Sequence, residues 1–74
     1  MEYYAQIFGD ETIFAVAHGT FKNGNSKAVT ISNLYRKPKH TTIQNKSIWM
    51  KIDAENIPSQ LLKKVMDYIN LLTT

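Results

Sequence analysis

Ser47-Ile48-Trp49-Met50-Lys51-Ile52, continued through Asp53-Ala54-Glu55-Asn56 into Ile57 to Leu72, is the stretch whose reading decides the fold. Its first six residues alternate, so an extended chain carries Ile48, Met50 and Ile52 on one face and Ser47, Trp49 and Lys51 on the other. The period then changes. Ile57, Leu61, Val65, Ile69 and Leu72 recur at helical spacing and form one apolar stripe. Pro58 stands near the helix start, where a missing N–H costs nothing. Asp53 and Asn56 are candidate caps, and Asp53 with Glu55 suits the positive end of the helix dipole. A helix laid on the apolar face of that last strand makes the core.

Towards the N-terminus the chain reads as further strands of the same sheet. Glu2 to Phe8 is rich in aromatic and β-branched residues and stops at Gly9-Asp10-Glu11, a turn. Thr12 to His18 is almost continuously apolar, as a central strand covered on both faces would be, and Gly19 ends it or marks a bulge. Lys22-Asn23-Gly24-Asn25-Ser26 carries the Asn-Gly pair of a type I′ hairpin turn. Lys27 to Arg36 alternates again, with Val29, Ile31 and Tyr35 on one face and Thr30, Ser32 and Leu34 on the other. Arg36-Lys37-Pro38-Lys39-His40 is a loop or the end of an edge strand, because Pro38 removes a ladder donor. The fold class is therefore α+β: an antiparallel sheet of four strands, or five if Thr41 to Gln44 adds its own, followed by one C-terminal helix packed on the sheet.

A chain of 74 residues is one domain. Chains this short bury only about 60% of their unfolded surface, and without cysteine neither a disulfide nor a thiolate metal site helps. Stability must then come from packing or from self-association, and Leu71 and Leu72 are leucines that a second copy could meet. No apolar run approaches the roughly 20 residues that span a bilayer, and no signal-peptide pattern opens the chain, which points to a soluble, cytoplasmic protein with no membrane partner.

The net charge of +3 hides an uneven distribution. All six acidic residues, Glu2, Asp10, Glu11, Asp53, Glu55 and Asp67, lie outside the span from Thr12 to Ile52, which holds Lys22, Lys27, Arg36, Lys37, Lys39, Lys46 and Lys51. Clustered charge of one sign favours an anionic partner and costs the fold some self-repulsion.

Catalytic chemistry finds few materials. His18 and His40 are separated by 21 residues, with no spacing that makes a metal site. No nucleophile elbow, phosphate-cradling glycine loop or dinucleotide fingerprint is present, so no cofactor is implied and the chain reads as a non-enzyme. The one reactive alternative is a metal-free endoribonuclease using His18 or His40 with nearby lysines. Binding is better supplied. Trp49 sits between Ser47 and Lys51 on the outward face of the last strand, and the basic loop adds Tyr35, Arg36, Lys37 and Lys39, with Lys46 just before that strand. Aromatic rings beside lysines hold single-stranded nucleic acid, the bases stacking while ammonium groups follow the phosphates.

The order of elements, antiparallel strands with basic loops and then Ile52-Asp53 leading through Pro58 into one C-terminal helix, resembles the positive-cofactor-four family of small single-stranded-DNA-binding coactivators. The resemblance covers the topology of nearly the whole chain and no diagnostic motif, so no site residue is carried over. It implies a curved four-stranded sheet followed by a helix, in a dimer whose sheets face single-stranded DNA.

Two functional expectations follow. The first is a dimeric binder of single-stranded DNA or RNA, with Trp49 and Tyr35 stacking on bases and Arg36, Lys37, Lys39, Lys46 and Lys51 on phosphates. The second is a small phage or mobile-element protein that docks a strand edge or helix face on a host protein and inhibits it.

Overall fold

A computed structural model describes residues 1–20, 25–44 and 46–73, with the side chains of Thr20, Lys46 and Thr73 outside the description. Five strands, β1 (Glu2–Phe8), β2 (Glu11–Thr20), β3 (Ser26–Ser32), β4 (Lys39–Ile43) and β5 (Met50–Ile52), precede one helix, α1 (Ser59–Thr73). Every pairing is antiparallel, in the order β4-β3-β2-β1-β5. The first four strands form a meander, and the fifth returns to the free side of β1.

Local chemistry explains the turns. Phe8 pairs with Glu11, which leaves a two-residue loop of Gly9 and Asp10. Gly9 supplies φ +59° at its first position, as a type II′ turn requires, and this turn twists with the strands it joins. The register of β2 on β3 slips between Ala17 and Gly19, so the bulge expected at Gly19 is present. The type I′ turn expected at Asn23-Gly24 lies outside the described residues, although Thr20 pairs with Ser26 on either side of it.

β3 is shorter than its alternation suggests. The Ser32 hydroxyl oxygen accepts hydrogen bonds from the N–H groups of Leu34 and Tyr35, at 3.0 and 3.4 Å, and its carbonyl accepts from Arg36 at 3.0 Å. Side-chain capture of the backbone competes with the ladder and ends the strand at Ser32. β4 does form, as the outer edge beyond β3.

α1 covers one face. Ile57, Leu61, Val65 and Ile69 pack onto Ala5, Phe14, Val16, Val29 and Ile31, all buried. Burying four such side chains stabilises by roughly 6–12 kcal/mol before the cost of ordering the chain. The stripe ends at Ile69: Leu72 is exposed, against the expectation that it belongs to the buried face. Pro58 immediately precedes the helix and its carbonyl accepts the Leu62 N–H at 2.9 Å. Asp53 and Asn56 clasp the 3-10 turn Ala54–Asn56 instead of capping α1, the Asp53 N–H donating to Asn56 Oδ1 at 2.9 Å.

The opposite face is covered by the chain itself. Ile43 and Met50 lie on opposite edges, four strand spacings or roughly 19 Å apart on a flat sheet. The segment before β5 contains a 3-10 turn, Lys46–Ile48, and Trp49, next to it, lies on the face away from α1. Trp49 packs there on Tyr4, Ala15, Ala17, Ala28 and Ile43, and the Gln6 side-chain amide donates to the Ile48 carbonyl at 3.4 Å. The alanines leave room for Trp49. The turn also corrects the strand expected from Ser47: β5 starts at Met50, and Ile48 and Met50 are exposed, so that of the three alternating residues only Ile52 joins the helix-side core.

Candidate nucleic-acid interface

β3 and β4 are joined by residues 33–38, and this connection carries three of the seven expected binding residues, Tyr35, Arg36 and Lys37, with Lys39 following at the start of β4. Asn33 anchors it. Its Oδ1 accepts the Thr12 N–H at 2.8 Å, its own N–H donates to the Thr12 carbonyl at 3.0 Å, and its side-chain amide donates to the Asp10 carbonyl at 3.3 Å. Arg36 then takes φ +55°, a left-handed conformation that turns the chain back towards β4. From α1, Lys64 Nζ donates to the Arg36 carbonyl at 3.4 Å.

The result is a groove of about 520 Å³ between this connection and the face away from the helix, lined by Glu11, Ile13, Thr30 to Ser32, Tyr35 and Lys37 to Lys39. Tyr35 is 72% exposed and its ring is available to a ligand. Lys37 and Lys39 bring positive charge to the groove, and Glu11 is the one acidic group among the described residues of its wall. Phe8, half-exposed and opposite Glu11 on β1, lies on the same side of the sheet.

The expected site residues are therefore divided. Tyr35, Lys37 and Lys39 line one groove, and Arg36 belongs to the same turn. Lys51 lies on β5 at the other edge of the sheet, beside a second hollow of about 450 Å³ that also contains Asp53 and Asn56. Trp49 is half-buried in the cluster of Tyr4 and the alanines, in a different place from Tyr35. The side chain of Lys46 lies outside the description.

The fold also joins residues that spacing alone kept apart. His18 and His40 have ring centroids 5.8 Å apart, tilted by 45°. Burial pushes the His18 imidazole below its ordinary value, and the nearby positive groups His40 and Lys27 push it further the same way. Its Nε2 is shut off from solvent and finds no hydrogen bond among the described residues. A group that moves a proton to or from a substrate must reach it, and this nitrogen does not, so the juxtaposition adds little to the endoribonuclease alternative. The one sequence signal for the meeting was Gly19, the residue of the bulge. Among the described residues no cluster of three or more metal-binding side chains occurs, and no helix is long and apolar enough to cross a membrane. On the covered part of the sheet, the Tyr4 hydroxyl donates to Glu2 Oε2 at 2.5 Å, and this bond pushes the phenol up to about 12.

No protein-family model, curated protein or solved structure matches this chain.

Proposed function

We propose that this chain is a small non-enzymatic protein that binds single-stranded nucleic acid in the groove beside the β3–β4 connection. The observation that supports the reading is the meeting of Tyr35, Lys37 and Lys39 in one open groove, within a stretch from Thr12 to Ile52 that holds no acidic residue. Tyr35 offers a face on which a base stacks, Lys37 and Lys39 neutralise flanking phosphates, and Arg36 extends the positive rim. Lys51, at the far edge, belongs to this site only for a strand long enough to cross the sheet. A dimer, proposed with it, would bring two such grooves to one strand and raise avidity without further interactions in either groove.

The test is a titration with a short single-stranded oligonucleotide at two salt concentrations. Affinity is expected to fall steeply with salt, and Lys37→Gln with Lys39→Gln to flatten the slope by about 0.7 for each phosphate that is no longer neutralised. Tyr35→Ala is expected to weaken binding by about 1–3 kcal/mol with the slope unchanged. Binding that ignores both salt and these substitutions would overturn the proposal.

One observation favours the second reading, a phage or mobile-element inhibitor of a host protein. Ile7, Phe8, Ile48 and Met50 are all more than half exposed, and β5 pairs only with Tyr3 to Ala5 of β1. A partner strand added beside Gln6–Phe8 would cover them. Recovery of one host protein after nuclease treatment, lost in Ile7→Lys, would choose this reading over the first.

A further inference from the structure

We propose that Glu11 reads the base held in the Tyr35 groove, and that the base it selects is guanine. The inference rests on the single-stranded nucleic-acid reading and adds to it the group that sets base preference.

Glu11 opens β2 and pairs with Phe8 of β1, so the two side chains project from the same face of the sheet. Two residues along, Ile13 pairs with Ser32, the last residue of β3, and the chain beyond Ser32 carries Tyr35. Glu11 therefore stands between two exposed rings, Phe8 on the β1 side and Tyr35 on the β3 side. It lines the groove with Tyr35, Lys37 and Lys39, and it is half-buried, open to a ligand. Asp67 is bridged to Lys63 and Glu2 accepts the Tyr4 hydroxyl, but no hydrogen bond or ion pair engages the Glu11 carboxylate among the described residues.

A carboxylate repels phosphate, so in a basic groove it serves a different part of the nucleotide. An ionised carboxylate only accepts hydrogen bonds. On its Watson–Crick edge guanine presents two adjacent donors, N1–H and the N2 amino group, which meet the two carboxylate oxygens in parallel, as an arginine fork does with Asp or Glu. Cytosine and adenine offer one amino donor beside a ring-nitrogen acceptor. Thymine and uracil offer one N–H between two carbonyl oxygens, which the carboxylate repels. A single strand leaves this edge free to be read. Stacking on Tyr35 or Phe8 accepts every base, so the discrimination falls to Glu11.

The test titrates the full chain, at fixed salt near pH 7, with four labelled thymine oligonucleotides that differ only in the central base. That base is guanine, hypoxanthine, cytosine or thymine, and the phosphates are the same throughout. Guanine is expected to bind at least about fivefold more tightly than thymine. Hypoxanthine, which keeps N1–H and lacks the amino group, should fall between them. Glu11→Ala is expected to bring guanine within about twofold of thymine while binding of the all-thymine strand holds or rises. Lys37→Gln with Lys39→Gln should weaken all four strands alike and leave their ratios unchanged. No binding to any strand would overturn the groove reading and this inference with it. Binding of all four within about twofold would overturn the inference alone. So would a guanine preference that survives Glu11→Ala, or hypoxanthine binding as tightly as guanine.

Discussion

Asn33 and Thr12 hold one another twice, the Asn33 Oδ1 accepting the Thr12 N–H at 2.8 Å while the Thr12 carbonyl accepts the Asn33 N–H at 3.0 Å. This exchange ties the connection that carries Tyr35 to the start of β2, which forms the floor of the groove. Asn33→Ala leaves a partly buried N–H without its acceptor, at a cost of about 1–2 kcal/mol. If the groove is the binding site, oligonucleotide affinity is expected to drop as well. Thermal denaturation and an oligonucleotide titration measure the two effects separately.

Arg36 occupies left-handed backbone at φ +55°. A side chain there costs roughly 1–2 kcal/mol, partly offset in a glycine variant by the greater freedom of its unfolded chain. Arg36→Gly is therefore expected to raise stability by up to about 1 kcal/mol, although it removes a positive charge. Chemical denaturation checks it, and a clear loss of stability would contradict this account of the turn.

Trp49 requires small residues beneath it. Ala28 is fully buried in the cluster that Trp49 covers. Ala28→Leu adds volume where none is free and is expected to cost about 1–3 kcal/mol by overpacking. As Trp49 is lifted into water its emission should shift to the red. An unchanged spectrum with unchanged stability would mean that Trp49 does not bear on Ala28.

Tyr4 should ionise late. Its hydroxyl donates to Glu2, its phenol is pushed up to about 12, and the unfolded chain ionises it at 10.0. A group whose folded value is raised contributes stability that is complete below the unfolded value and is lost as pH rises through the folded one, so the window is 10 to 12. Ultraviolet phenolate absorbance should show a late step that Glu2→Gln moves to lower pH and Tyr4→Phe abolishes.

His18 works in the opposite direction. Its folded value lies below the ordinary 6.5, because burial and then His40 and Lys27 disfavour its charge. As pH falls through 6.5 the unfolded chain gains a proton that the folded chain does not, so stability in chloride buffer declines below 6.5 and is level above it. His18→Asn is expected to remove that decline. Denaturant midpoints measured across this range decide the point.

The face of α1 was legible because Ile57, Leu61, Val65 and Ile69, at a spacing of four, leave no other stripe to bury; Leu72, three residues on, is exposed. Strand β2 was legible from its run of small and apolar residues. The alternation also placed Trp49 on the face away from the helix, but nothing local says that it packs there on Tyr4 and the alanines. Alternation continues through Tyr35, so the sequence places it equally well at the end of a strand or in the basic loop; Ser32 and Asn33 end the strand by capturing backbone groups, and this puts Tyr35 at the groove. The meeting of His18 with His40 depends on how far a bulge shifts a register, which no count of intervening residues reveals.

β1 has a neighbour on each side of very different origin. β2 follows it directly, whereas β5 pairs Ile52 with Tyr3 from the far end of the chain. During synthesis the meander can form early, yet one side of β1 stays open until the residues beyond Met50 have left the ribosome. Closing that side brings together partners far apart in sequence, a slow step for so small a protein. Until then the half-made sheet exposes to the cell the same Ile7 and Phe8 that remain partly uncovered at the end, and the chain is at its most vulnerable to proteases and chaperones in that interval.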